Sequence, residues 1–378
     1  MANTVNVENR PSIALVDLRA EREFLGRALE DAVLAVLESG QYILGPEVER
    51  FERDFAALHD APYAIGVGSG TDALLLALRA LGVGPGTAVL TTPFTFFSSA
   101  AAIPWLGGRV VLADIDPRTG LIDPERAAEA MDGVSCILPV HLYGQLADMQ
   151  AIRALADAHG ASVVEDAAQA HGARRDGQAA GALADIACFS FYPTKNLGCA
   201  GEGGAVLTRR QDVLQRMRRL RDHGSGSKYR HVELGTNSRL DALQAAVLSA
   251  KLPHLERWNA RRRELARRYD AAFGETDAVV PIAVEPGSEP AFHQYAVRLP
   301  AAERDRVRDE LLAAGIASAV HYPVPVHLQP AAAEWGYPEG SLPEAEALAR
   351  EVLCLPVHPF LEDGEVDRVA ETLLHVLG

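Results

Sequence analysis

From about residue 60, short runs rich in β-branched and apolar residues alternate with segments whose apolar positions recur every three or four residues. The runs predict strands over Tyr63–Val67, Ala88–Thr92, Arg109–Ala113, Ser135–Val140, Ser162–Glu165, Ile186–Phe191 and Ala205–Thr208. Between them, segments such as Thr71–Leu81 and Met149–His159 have the spacing of amphipathic helices. This alternation predicts an α/β fold with a mostly parallel seven-stranded sheet between helices. In such a sheet ligands gather outside the carboxyl ends of the strands, so the residues that follow each strand carry the most information.

Over residues 240–270 the pattern turns long and helical, and Arg257, Arg261, Arg262, Arg263, Arg267 and Arg268 read as its charged face. A strand over Gln294–Leu299, a helix over Glu303–Ala314 and a strand over Ala317–His321 follow, and two helical patterns flank Cys354–Pro359. The expected division is a large domain over residues 1–250, including an N-terminal segment, and a smaller C-terminal α+β domain over 251–378.

Composition narrows the function classes. Of the 378 residues, 48% are hydrophobic and 23% charged, as in soluble enzymes, and the formal net charge is −15. That charge argues against binding nucleic acid or an anionic membrane, and anionic ligands must be met by local cations and backbone dipoles. Cys136, Cys188, Cys199 and Cys354 have neither metal-type nor disulfide-scaffold spacing and read as buried thiols. The first dozen residues, Met1–Ser12, are polar and lack a signal-peptide core, and no run approaches a membrane span. A cytoplasmic location is expected.

Three segments carry chemistry. Gly66-Val67-Gly68-Ser69-Gly70-Thr71-Asp72 follows a strand and opens a helix. Its glycines let backbone approach an anion, and the first helical N–H groups favour a phosphate. A plain tight turn capped by Thr71 or Asp72 is the alternative. At Glu165-Asp166-Ala167-Ala168-Gln169 a strand ends in two carboxylates. Alternation puts Asp166 on the ligand side, where it can pair with a protonated ring nitrogen, and turns Glu165 to the other face. At Ser190-Phe191-Tyr192-Pro193-Thr194-Lys195-Asn196 a lone lysine follows a strand in an aromatic and glycine setting. Lys and Arg together number 36, few of them Lys, and desolvation here would free the amine for imine chemistry. Ser190 could offer its hydroxyl to the same phosphate. These are the parts that pyridoxal 5′-phosphate requires, and no carboxylate or cysteine joins His321, His327 and His358 into a metal site.

Gly-Thr-Asp-Ala-Leu, Glu-Asp-Ala-Ala-Gln, Ser-Phe-x-x-x-Lys-Asn and Asn-Ser-Arg-x-Asp-x-x-Gln-Ala-Ala, in this order, resemble the sugar aminotransferases of the DegT/DnrJ/EryC1/StrS family over about Asp17–Gly378. The resemblance implies a fold-type-I aminotransferase that works as a homodimer with active sites at the subunit interface. In it Lys195 is the Schiff-base lysine, Asp166 pairs with the pyridinium nitrogen and Gln169 bonds the ring hydroxyl. Phe96 stacks on the ring; Gly70, Thr71 and Ser190 hold the phosphate, and Asn237 reaches it from the partner. Family relatives that dehydrate sugars have histidine in place of this lysine.

Two further segments bear on substrate. Asp222–His231, with Lys228 and Tyr229, is a basic loop in an acidic chain, and His321-Tyr322-Pro323-Val324-Pro325-Val326-His327 is stiffened by its prolines. Lysine can meet a diphosphate, and His and Tyr can bond sugar hydroxyls; a solvated loop and core histidines are the plain alternatives. Within the family these segments resemble members that aminate C3 of nucleotide-linked 3-keto sugars, with dTDP favoured over UDP and Lys228 and Tyr229 supplied by the neighbouring subunit. L-Glutamate would be the donor, leaving as 2-oxoglutarate, and Arg239 could receive its carboxylate or serve as an interface ion pair. Amination at C4 of a 4-keto sugar and keto-inositol amination are rivals. A non-catalytic cofactor-binding regulator would lose Lys195 or append a DNA-binding segment, and a dinucleotide-binding oxidoreductase would carry GxGxxG; neither feature is seen. High Ala and Arg usage hints at a GC-rich bacterium.

Overall fold

The computed structural model describes residues 12–274 and 276–378, so the polar stretch Met1–Ser12 lies, apart from Ser12, outside the described residues. Its centre is a seven-stranded sheet built from β1 (Tyr63–Val67), β2 (Ala88–Thr91), β3 (Arg109–Leu112), β4 (Cys136–Leu138), β5 (Ser162–Asp166), β6 (Ile186–Ser190) and β7 (Gly204–Thr208). The strand order is β1-β7-β6-β5-β4-β2-β3. Only β7 runs antiparallel to its neighbours. Helices cover both faces, and the strands are buried almost throughout, which is why they read as apolar runs rather than alternating ones.

Six of the expected strands end within a residue of the observed positions, whereas Ser135–Val140 shrinks to Cys136–Leu138. Pro139 has no N–H to give the ladder; its carbonyl accepts from Asp166 N at 2.9 Å instead. Because β7 runs backwards, Gly204 at its start lies beside both Val67 and Ser190, at the carboxyl ends of β1 and β6. Those ends and that of β5 therefore share one edge of the sheet, and the candidate residues cluster there.

After helices Ala242–Lys251 and Leu255–Phe273, the chain forms a small three-stranded antiparallel sheet of Val280–Pro281, Tyr295–Arg298 and Val352–Leu355. Helices Arg304–Ala313 and Asp363–Leu377 pack with it. The expected strand over Ala317–His321 is reduced to a single bridge, Ala319 to Cys354. Its backbone is shared between two partners: Ala317 N donates to Ile13 O, while Ala319 N donates to Cys354 O. Ile13 thus packs into the C-terminal core, and the N-terminal segment crosses from one part of the molecule to the other. No helix among the described residues is long and apolar enough to cross a membrane.

Candidate active site

A cavity of about 670 Å³ opens at this sheet edge, between the strand ends and the small C-terminal sheet. Its floor is the start of the helix Gly70–Ala80, capped by Ser69 Oγ, which accepts from Asp72 N at 3.1 Å; the cap is neither Thr71 nor Asp72. Gly70 is dictated by space, since a Cβ there would lie 2.6 Å from the Ser190 Cβ. Gly70, Thr71 and Ser190 therefore line one concave corner, at a helix start whose first N–H groups have no intrahelical partner. Ser98, which no local pattern marks in the sequence, joins this corner through Thr71 Oγ1 at 3.1 Å.

Asp166 ends β5 and is 6% exposed. Its Oδ2 accepts from Ser99 Oγ at 2.7 Å and its Oδ1 from Ala168 N at 3.1 Å. Thr95 Oγ1 lies 2.8 Å from the Ser99 hydroxyl, so two residues of the Pro93–Ser99 segment hold this carboxylate in place. Glu165 faces away, as alternation requires, accepting from Gly181 N and lying 3.2 Å from His141 Nε2.

Lys195 lines the cavity from the turn after β6 and is the single Lys or Arg among the described residues that does so. Burial pulls its amine from 10.5 down to about 8, against the opposing pull of Asp166. The neighbouring Asn196 anchors the turn, its Nδ2 donating to Ala291 O at 2.7 Å and to Asn259 Oδ1 at 2.9 Å. That orientation leaves Asn196 Oδ1 facing His293 Nδ1 at 3.2 Å, so His293 carries its proton on Nδ1.

Gln169 is 6% exposed; its Oε1 accepts from Tyr143 N at 2.6 Å, and its Nε2 donates to Tyr322 Oη at 3.3 Å. Tyr143 was not singled out from the sequence, yet it joins the two sides of the cavity, because its hydroxyl donates to His321 O at 2.6 Å and its carbonyl accepts from His293 N. Its φ of 58° marks a turn that composition did not announce. Phe96 leaves 57% of its surface exposed beside Tyr322, an apolar face available to a flat partner.

The structure brings Gly70, Thr71, Phe96, Asp166, Gln169, Ser190, Lys195, His321 and Tyr322 to one cavity. The other candidates lie elsewhere in the chain. His327 is buried, with Nε2 3.1 Å from Glu346 Oε1, and serves the core. Arg239 donates to Asp222 Oδ1 at 2.8 Å. Asn237 is exposed, and Lys228 and Tyr229 cap a projecting hairpin of Ser225–Ser227 and Arg230–His231, with Tyr229 89% exposed. Leu15 and Val16 reach the cavity through the N-terminal crossing, which no sequence pattern signalled.

The residues present fit pyridoxal 5′-phosphate. A helix start pared back by Gly70 suits its phosphate, a buried carboxylate suits its ring nitrogen, Phe96 suits its ring, and a desolvated lysine suits its aldehyde. Fold and site together define a pyridoxal-phosphate-dependent aminotransferase. Residues 25–374 match the DegT/DnrJ/EryC1/StrS aminotransferase family, and the chain belongs to it. It is 46% identical to a dTDP-3-amino-3,4,6-trideoxy-α-D-glucose transaminase of Streptomyces venezuelae, over 96% of each chain. It is 39% identical to a UDP-2-acetamido-2-deoxy-3-oxo-D-glucuronate aminotransferase of Pseudomonas aeruginosa, over 96% of this chain and 99% of that one. The crystal structure of S. venezuelae DesV in complex with a ketimine intermediate superposes with a TM-score of 0.94 at 46% identity, covering 97% of this chain and 98% of that one.

The lowered lysine has a direct consequence. Only the unprotonated amine attacks an aldehyde, so in cofactor-free protein the rate of modification of Lys195 is expected to rise about tenfold per pH unit below pH 8 and level off above it. Reductive trapping with pyridoxal phosphate across pH measures this. A midpoint near 10.5 would show an ordinary, solvated lysine.

Proposed function

We propose that this enzyme transfers the amino group of L-glutamate to C3 of a nucleotide-linked 3-keto sugar, with dTDP the preferred nucleotide. The observation that carries the acceptor class is the make-up of the cavity wall: among the described residues no arginine lines it, and opposite Lys195 stand His293, Gln294, His321 and Tyr322. Burial, with the Lys195 charge adding to it, holds His293 well below the usual imidazole range and brings His321 down to about 4. A wall of neutral donors and acceptors suits sugar hydroxyls, and in this reading a cation from outside that wall meets the carboxylates of L-glutamate. The names of both relatives above point to C3.

When bound, pyridoxal phosphate supplies an aldehyde for imine formation and a ring that takes up the electron pair left by a departing proton. In this reading Lys195 would hold the cofactor's aldehyde and, as a free amine, would take up and return a proton at the substrate carbon. Asp166, braced by Ser99, would keep the ring nitrogen protonated, and Gln169 would bond the ring hydroxyl. Gly70, Thr71 and Ser190 would hold the phosphate, and Phe96 would cover the ring.

We further infer a homodimer in which Asn237, Lys228 and Tyr229 of one subunit complete the site of the other. Tyr229, Leu234 and Val232 expose 89, 81 and 54% of their surfaces on one projecting segment, which suits a partner surface better than water. Lys228 then supplies the cation for the diphosphate, and Arg239 beside Asp222 remains a candidate for the donor carboxylate only if the partner rearranges that pair. We also place a domain division near residue 250, with the N-terminal crossing joining the parts. The four free, buried cysteines fit a reducing compartment, and we place the enzyme in the cytoplasm.

The test loads the enzyme with amino groups from L-glutamate and then offers 3-keto or 4-keto dTDP-sugar, following the return of the cofactor's absorbance. Return with the 3-keto compound is expected. Return with the 4-keto compound alone would retain the aminotransferase and overturn the C3 assignment.

A further inference from the structure

Arginine supplies nearly all the cations of this chain: of its 36 Lys and Arg residues, three are lysine. Lys195 lines the cavity, and Lys228 caps the projecting hairpin. The third, Lys251, ends the helix Ala242–Lys251, is 5% exposed and stands outside the cavity lining. Its ammonium donates to Gly198 O at 2.6 Å and lies 2.5 Å from Glu21 Oε1. A guanidinium is broad and planar, whereas an ammonium is a compact donor that fits between a carbonyl and a carboxylate in a buried space.

The carbonyl that Lys251 holds belongs to the turn of Lys195. That turn is closed by Lys195 N, which donates to Tyr192 O at 2.9 Å, and by Cys199 N, which donates to Phe191 O at 2.8 Å. Gly198 is buried and packs so closely on Pro193 that a Cβ would run into the Pro193 carbonyl. Lys195 lies between these two residues in the chain, so a shift of Gly198 moves the backbone that carries the amine. Asn196 fixes the turn through its side chain, and Lys251 fixes it through a backbone carbonyl that burial would otherwise leave unpaired.

Glu21 extends the link. It lies in the first turn of the helix Leu18–Leu25, whose cap, Asp17, accepts from Arg19 N and Ala20 N at 3.0 Å each. Immediately before that cap, Leu15 and Val16 line the cavity. One ion pair thus joins the N-terminal segment that lines the cavity to the turn that carries its lysine. Resting on the reading of Lys195 as the lysine that takes the cofactor's aldehyde, we propose that Lys251 is a positioning residue for Lys195, and that Glu21 makes this positioning depend on the seating of the N-terminal helix. Because Glu21 offsets the charge of Lys251, the effect runs through the bond to Gly198 rather than through the field at Lys195.

Lys251→Met removes the donor and the charge while keeping an unbranched side chain. In the full-length, cofactor-free protein, imine formation with pyridoxal phosphate is followed by reductive trapping and peptide mapping. Pyridoxamine phosphate, which forms no imine with the protein, measures binding alone. In Lys251→Met the rate of trapping on Lys195 should fall at least about tenfold, while the Kd for pyridoxamine phosphate stays within about threefold of the parent's. The paired variant Glu21→Leu/Lys251→Met exchanges both charges for apolar groups, so it should melt within a few degrees of the parent. It should still trap slowly, because Gly198 O remains unheld. Glu21→Leu alone should also slow trapping. A Lys251→Met or paired variant that traps at the parent's rate leaves Lys251 with a core role only and overturns the proposal, as does a Kd that weakens as much as the rate falls. An unchanged rate in Glu21→Leu overturns the dependence on the N-terminal helix. A label that maps to Lys228 or Lys251 in the parent overturns the reading of Lys195 itself, and the labelled peptide tells that failure apart from the others.

Discussion

Lys195→Ala is expected to lower turnover by at least about 10⁴-fold, to the limit of detection, because imine formation and proton transfer both pass through one amine. The protein itself should stay folded. Folding lowers the amine to about 8 from 10.5, so the native state disfavours the ammonium, and below pH 8 that charge subtracts from stability rather than adding to it. The turn that carries the lysine is held by its neighbour Asn196, through Ala291 and Asn259, and the substitution leaves those bonds in place. The expected result is a melting temperature within a few degrees of the parent's, retained phosphate-dependent binding of the cofactor, and no lysine-linked absorbance. Turnover above about 1% of the parent's by a well-folded variant would overturn the assignment of Lys195.

Asp166→Asn is expected to reduce kcat by about 10²–10³-fold, since it removes a preorganised charge while keeping shape. Ser99 Oγ and Ala168 N hold the carboxylate by donating to it, and the Oδ1 of an asparagine can retain one of these bonds, so gross unfolding is not expected. A second readout separates the electrostatic role from a packing one. Asp166 is the group that opposes the lowering of the Lys195 amine. Without its charge, the pH midpoint of Lys195 modification in cofactor-free protein should move below that of the parent. A midpoint that stays put, with kcat lost, would mean that Asp166 acts by packing alone.

The sheet and its ligand edge were legible because strands buried on both faces must be continuously apolar, as Val163, Val164, Ala187, Phe189, Val206 and Leu207 are. Gly70, Asp166, Ser190 and Lys195 could be found because each lies at or just beyond a strand end or helix start, where local geometry limits which residues serve. Tyr143, Ser99, His293 and Gln294 lack that local mark. Their roles come from partners 26 to 178 residues away: Tyr143 on Gln169 and His321, Ser99 on Asp166, His293 on Asn196 and Gln294 on His321. His327 shows the converse. A histidine between prolines suited a sugar contact, but in the fold Glu346 lies beside it and it becomes core.

The amino-acid sequence by itself determined the α/β class, the edge of the sheet at which the cavity opens, and the amine and the carboxylate that line it. These follow from periodicity and from residues whose conformational or chemical demands are local. Only the tertiary structure decided which neutral side chains line that cavity, which tautomer His293 carries, and that the N-terminal Leu15 and Val16 reach it. Those outcomes depend on hydrogen bonds and packing between segments far apart in the chain, and no local pattern of hydrophobic and polar positions records such pairings.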